Sequence, residues 1–174
     1  MPDVPVRVVL VGFMGAGKST VGRIVARRLR YLFEDMDRRI ERRAGRTIAE
    51  IFKDHGEEAF RALEREEARE LSQLTQCVVA AGGGAFARSD TRAALQQGAV
   101  SVWLRCDLDV LLARLQPDGL RPLAGNRGIM RALLAERELS YCMADVTVDA
   151  TGTPDEVADR VVALVRGRRS PARR

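Results

Sequence analysis

The segment VRVVLVGFMGAGKSTVGR, residues 6–23, constrains the fold of this chain more than any other stretch. Val6, Val8, Val9, Leu10 and Val11 lead into a glycine-rich turn and then Lys18. A short, nearly continuous apolar run predicts a strand buried on both faces. Gly12-Phe13-Met14-Gly15-Ala16-Gly17-Lys18-Ser19 then fits G-x-x-x-x-G-K-[ST], with an amphipathic helix pattern following. Such glycines let successive backbone N–H groups turn inward around a polyphosphate, and the helix N-terminus adds the positive end of its dipole. Lys18 would reach the β- and γ-phosphates, and the Ser19 hydroxyl would ligate Mg²⁺. An incidental glycine turn would not need Lys-Ser in register.

The rest of the chain alternates between two periods. Strand-like runs occupy 31–34, 77–81, 100–104 and 146–149. Helix patterns begin near Lys18, Asp37, Thr47, Glu57, Asp90 and Asp107, and a last one runs from Pro154 to about Val165. Strands separated by helices imply an α/β fold with a parallel sheet covered on both faces. At 174 residues, 46% of them hydrophobic, the chain is sized for one domain, with no internal repeat or interior linker.

The net charge of +5 resides in the end of the chain. Residues 166–174, RGRRSPARR, hold five arginines and no acid, and without them 24 basic side chains balance 24 acidic ones. The body therefore offers no general argument for binding nucleic acid or membrane, and the tail reads as a solvated, disordered end. Cys77, Cys106 and Cys142 are odd in number, widely spaced and without a C-x-x-C pair, which disfavours a disulfide framework and a zinc site. With no cleavable signal and no 18-residue apolar run, a soluble cytoplasmic protein is expected.

A phosphate cradle implies a nucleotide but not its use. Asp35 and Asp37, in EDMD, follow the second strand. Two positions apart on extended chain they would point to one side, at the carboxyl end of the sheet, where open α/β folds bind ligands. One would serve the magnesium shell and the other accept a hydroxyl proton; the alternative is a helix N-cap at Asp37. Gly82, Gly83 and Gly84 follow the third strand and would let a ligand approach the backbone, unless they form a plain flexible turn. That strand lacks a terminal Asp of the usual metal-binding kind, which argues against a motor or switch-type GTPase and moves the duty to Asp35. Arg61 could grip an acid with Glu64 orienting it, or form a surface ion pair. Arg121, in QPDGLRPLAGNRG between two helices, suits a mobile lid or a solvated loop. Phe52 and Phe60 would wall a pocket or belong to the core. His55, the only histidine, follows a helix end and has no catalytic assignment.

Taken in order, GFMGAGKST, DMD, GRTIAEIF, FRALE, GGGA, RPLAG and RELSY resemble the shikimate kinase family over about residues 6–165. The resemblance implies a phosphate-loop fold of the nucleoside monophosphate kinase type, five parallel strands in order 2-3-1-4-5, with a mobile lid at about 116–128. It implies one kinase domain over 1–165, acting as a monomer on ATP and shikimate with Mg²⁺ and yielding shikimate 3-phosphate and ADP. Gly12, Gly15, Ala16, Gly17, Lys18, Ser19 and Thr20 would hold the phosphates, Arg114 would stack on adenine, and Arg121 would close from the lid. Asp37 would bind shikimate and act as base, and Ser19 and Asp35 would serve the metal. Arg61 and Arg137 would hold the carboxylate beside Gly82, Gly83 and Gly84. Where the family usually has R-x-P-L-Y, this chain reads Arg137-Glu138-Leu139-Ser140-Tyr141.

Two other readings compete. A gluconate kinase shares the phosphate loop and also takes a hydroxylated acid, but the triple glycine and FRALE argue against it. A non-catalytic nucleotide-binding module would need no acceptor site, which Asp35, Asp37 and the lid arginine together supply.

Overall fold

The computed structural model describes residues 7–115 and 126–167. Strands β1 (Arg7–Val11), β2 (Leu32–Asp35), β3 (Cys77–Ala80), β4 (Val100–Arg105) and β5 (Val146–Asp149) form one parallel sheet in the order β2-β3-β1-β4-β5. Helices α1 (Lys18–Leu29), α2 (Met36–Ala44), α3 (Ile48–Ser72), α4 (Ser89–Gln96), α5 (Leu108–Arg114), α6 (Arg127–Tyr141) and α7 (Pro154–Arg166) cover it.

β1 is central and buried along its whole length, which is why its sequence does not alternate. It pairs Val8 with Val78 on one side and with Val100 on the other. From β1 the chain departs toward β2, whereas from its neighbour β3 it departs toward β4. The two connections run in opposite directions, and the crevice outside the carboxyl ends of β1 and β3 is where such sheets bind ligands. Gly12–Lys18 and Gly82–Gly84 are the segments that leave those two ends.

Local signals set most helix starts. Thr47 with Glu50 and Thr153 with Glu156 each form a reciprocal capping box, and Pro154 opens α7. α3 carries a break at Gly56, whose φ of 78° and ψ of 177° are not helical, so the starts expected at Thr47 and Glu57 are two halves of one bent element. α6 was not among the expected starts; Asn126 caps it, its side chain accepting from the Ile129 amide at 3.1 Å.

Arg7 was read only as part of a strand, yet it is almost fully buried. Its guanidinium donates to the carbonyls of Ser72 (2.6 Å), Leu74 (3.1 Å) and Gln97, tying the ends of α3 and α4 to the start of β1. Burial lowers its pKa below the usual arginine value, with the Cys77 thiol opposing.

Candidate active site

The phosphate loop folds as its glycines require. Gly15 and Gly17 have φ of 81° and 89°, a region that side chains with a Cβ rarely enter, and Gly17 caps α1 without any side-chain hydrogen bond. α1 carries no acid of its own in its first turn, so nothing on the helix competes for its N-terminal amides. Lys18 Nζ donates to the carbonyls of Gly12 (2.8 Å) and Phe13 (3.0 Å), which holds the ammonium over the loop. Ala16 is buried under the loop and Thr20 is exposed in the first turn of α1.

Asp35 and Asp37 part company. Asp35 ends β2 and is itself the N-cap of α2: Oδ1 accepts from the Arg38 amide at 3.3 Å, while Oδ2 accepts from Ser19 Oγ at 2.5 Å. Asp37 lies in the first turn of α2. The expectation of two carboxylates on one side of extended chain is therefore corrected, as is the alternative of an N-cap at Asp37. The helix begins at the residue after the strand ends, and its first turn brings Asp37 Oδ1 beside Gly82.

The three glycines after β3 act as a spine. A methyl group added at Gly82 would lie 2.7 Å from Asp37 Oδ1 and 3.2 Å from Glu64 Oε1. One at Gly83 would lie 3.9 Å from the Met14 amide of the phosphate loop. At Gly84 it would meet Arg137 Nη1 at 2.5 Å and Arg61 Nη1 and Nη2 at 2.8 and 2.9 Å. A side chain at Gly82 or Gly84 would displace these groups, so glycine there serves close approach rather than a flexible turn, while at Gly83 a methyl group would make only an ordinary contact. Along three residues the polar surroundings change from carboxylates to guanidiniums, beside the phosphate loop.

Arg61 is not in a surface pair. It is 8% exposed, and Glu64, to which it donates at 2.7 Å, is 1% exposed. Glu57 accepts from it on the outer side, Nη2 to Oε1 at 3.2 Å. Burial opposes the charge on Arg61, but the bonds and charges of Glu64 and Glu57 outweigh it and raise its pKa. Burial pushes the Glu64 carboxyl above its ordinary range, Arg61 pulls it back, and the charge of Asp37 pushes it up again. Glu64 Oε1 is buried with no hydrogen-bond partner among the described residues. Arg137, on α6, has no hydrogen-bond or ion-pair partner among the described residues, although its charge reaches Glu64.

The remaining expectations divide. Arg114 lies at the other edge of the phosphate loop, donating to the carbonyls of Ala16 (3.4 Å), Ala150 (2.8 Å) and Gly152 (3.4 Å). Arg121 and most of the expected lid, with nearly all of the basic tail, lie outside the described residues. Phe60 belongs to the core and packs at 4.8 Å, centroid to centroid, on the half-exposed Phe52. Two residues of this region were not assigned to the site from sequence. Glu64 was read only as a partner of Arg61, although its place three residues on along α3 was the signal. Tyr141, one helical turn beyond Arg137, donates its hydroxyl to the Gly83 carbonyl at 2.5 Å.

The shikimate kinase family profile matches residues 14–166. The chain belongs to the shikimate kinase family. A shikimate kinase of Bradyrhizobium diazoefficiens is 44% identical over 163 residues, which are 91% of this chain and 79% of that protein. One of Geobacter sulfurreducens is 43% identical over 91% of this chain and 90% of its own length. The structure of the shikimate kinase from Acinetobacter baumannii in complex with shikimate superposes with a TM-score of 0.89 at 35% identity, covering 95% of each chain. The five-stranded parallel sheet in the order 2-3-1-4-5 is thus the fold of the family, as the motifs implied.

Proposed function

We propose that this chain transfers the γ-phosphoryl group of ATP to the 3-hydroxyl of shikimate. The observation that carries this reading is the polar gradient along the glycine spine. Shikimate has a carboxylate at one end and hydroxyls at the other, and two arginines over Gly84 suit the first while Asp37 over Gly82 suits the second. Asp37 accepts the proton of the attacking hydroxyl as the new O–P bond forms. The bond from the γ-phosphorus to the β–γ bridging oxygen breaks, leaving ADP. Lys18 and the amides of the phosphate loop stabilise the charge that develops on the phosphates. Ser19 Oγ and Asp35 Oδ2 are hard oxygen donors side by side next to the loop and fit a magnesium ion, which would neutralise β- and γ-phosphate charge. Arg114 serves the nucleotide edge, and Arg121 closes from the lid.

We further read residues 1–165 as one kinase domain working as a cytoplasmic monomer. Its grouping of nucleotide and acceptor residues within a single chain supports that reading, and no described helix is long and apolar enough to cross a membrane. Coupled ADP release, measured with shikimate, with gluconate and with no acceptor, tests the assignment. Turnover only with shikimate is expected; equal release with gluconate, or none with either acid, would overturn it.

A further inference from the structure

The contact between Tyr141 and the glycine spine gives the acceptor site a support that is remote in sequence. Tyr141 is fully buried at the end of α6, its ring tilted against Trp103 at 5.9 Å between centroids. Its hydroxyl donates to the Gly83 carbonyl at 2.5 Å. Burial raises the phenol pKa, with the Arg137 charge opposing, so the hydroxyl keeps its proton and remains a donor across the working pH range.

That carbonyl belongs to the peptide joining Gly83 to Gly84. A trans peptide is planar, so its N–H points opposite to its C=O. A carbonyl pinned toward Tyr141 therefore fixes the Gly84 amide on the other face of the loop. The Ala85 amide closes this turn on the Gly82 carbonyl at 3.1 Å, but that bond does not set the orientation of the central peptide, which two glycines without a Cβ leave free to flip unless the Tyr141 hydroxyl holds it. The same hydroxyl also couples two parts of the site. Arg137 lies four residues before Tyr141, one turn up the same helix, and its guanidinium comes to the Cβ position of Gly84. Here α6 continues through Leu139, which is 74% exposed and supplies no anchor.

We propose that Tyr141 is a positioning residue for the acceptor: its hydroxyl holds the Gly83–Gly84 peptide and ties α6, with Arg137, to the glycine spine. The inference rests on the reading of this site as the shikimate site. Tyr141 touches no reacting atom; it sets acceptor affinity through the loop and the arginine.

The test is Tyr141→Phe in the full chain, which keeps the ring against Trp103 and deletes the hydroxyl. Shikimate KM and the shikimate dissociation constant, measured by calorimetry, are expected to rise about tenfold, equivalent to ~1.4 kcal/mol. ATP KM should stay within about twofold, as for any bond confined to the acceptor side. Val161→Ala, a buried change in α7, serves as the stability control, lowering Tm while leaving both KM values in place. A shikimate KM within twofold of wild type, or equal rises for shikimate and ATP, overturns the proposal. Should Tyr141→Phe fail to fold, Tyr31→Phe leaves Tyr141 as the single tyrosine for 3-fluorotyrosine labelling. Its ¹⁹F resonance is then expected to shift on adding shikimate and not on adding ADP; no shift with shikimate overturns the proposal. Wild type that releases no ADP with shikimate refutes the function itself, whereas active wild type with an unaffected Tyr141→Phe refutes only the role of Tyr141.

Discussion

Asp35 and Asp37 stand two residues apart and answer to different neighbours. Asp35 spends one oxygen on capping α2 and accepts from Ser19 with the other, which is why we propose it for the nucleotide side. Asp37 shares the approach to Gly82 with Glu64, the side we propose for the acceptor. Asp37→Asn keeps the shape and removes the proposed base, so kcat should fall on the order of 10²- to 10⁴-fold with ATP affinity nearly unchanged. Steady-state kinetics with a separate ATP binding titration check this, and an equal loss of ATP affinity would assign Asp37 to the nucleotide instead. Arg61→Lys keeps a charge but loses the planar fork. Shikimate KM should rise roughly ten- to a hundredfold, the worth of a charge-assisted bond, while ATP KM barely moves. The buried Glu64 would also lose a partner, so Tm should fall in the same variant, which an exposed pair would not do.

Among the elements, α3 does the most to shape the acceptor side. Its second half carries Arg61 and Glu64, and its direction changes at Gly56. The φ of 78° with ψ of 177° at Gly56 lies in a region essentially reserved for glycine, although nothing lies within 4 Å of an added Cβ. The cost of Gly56→Ala is therefore backbone strain and not collision. It should destabilise the protein by about 1–3 kcal/mol, and because the break aims the second half of α3, shikimate KM should rise while ATP KM holds. Denaturant unfolding and the two KM values test both parts; an unchanged midpoint would mean that the break relaxes into continuous helix without penalty.

At the scale of the whole molecule, the sheet keeps the thiol of Cys77, the first residue of β3, out of water. Burial pushes the Cys77 thiol from 9.0 to about 11, aided by the charge of Glu34 and opposed by Arg7 and Arg39. The folded form thus favours the neutral thiol. The stability it contributes is complete below pH 9, where the unfolded thiol is also neutral, and is lost as the pH rises toward 11, at ~1.4 kcal/mol per pH unit. Thermal melts across that window should show Tm falling, with a shallower fall in Cys77→Ala. In the native protein at neutral pH a thiol reagent should modify the exposed Cys142 promptly and reach the buried Cys77 and Cys106 only on unfolding. Rapid modification of all three would contradict the packing of β3.

What the sequence determined by itself was whatever depends on near neighbours. The strand, glycine turn and helix around Lys18, the capping boxes at Thr47 and Thr153, and the continuous apolar run of β1 are local patterns, and ordered motifs extended them to the family. The tertiary structure decided the rest, because it depends on groups brought together from far along the chain. Asp37 was misplaced on extended chain because the residue at which β2 gives way to α2 is set by packing and by the Asp35 cap. Arg7 satisfies carbonyls at the ends of α3 and α4, 65 to 90 positions away, so nothing beside it in sequence marks it as buried. Arg61 and Glu64 were legible as a pair, but their burial was not, since only the approach of Gly82 and Gly84 encloses them. Tyr141 and Gly83 are 58 positions apart, and their hydrogen bond exists because the parallel sheet sets the end of β3 beside the end of α6.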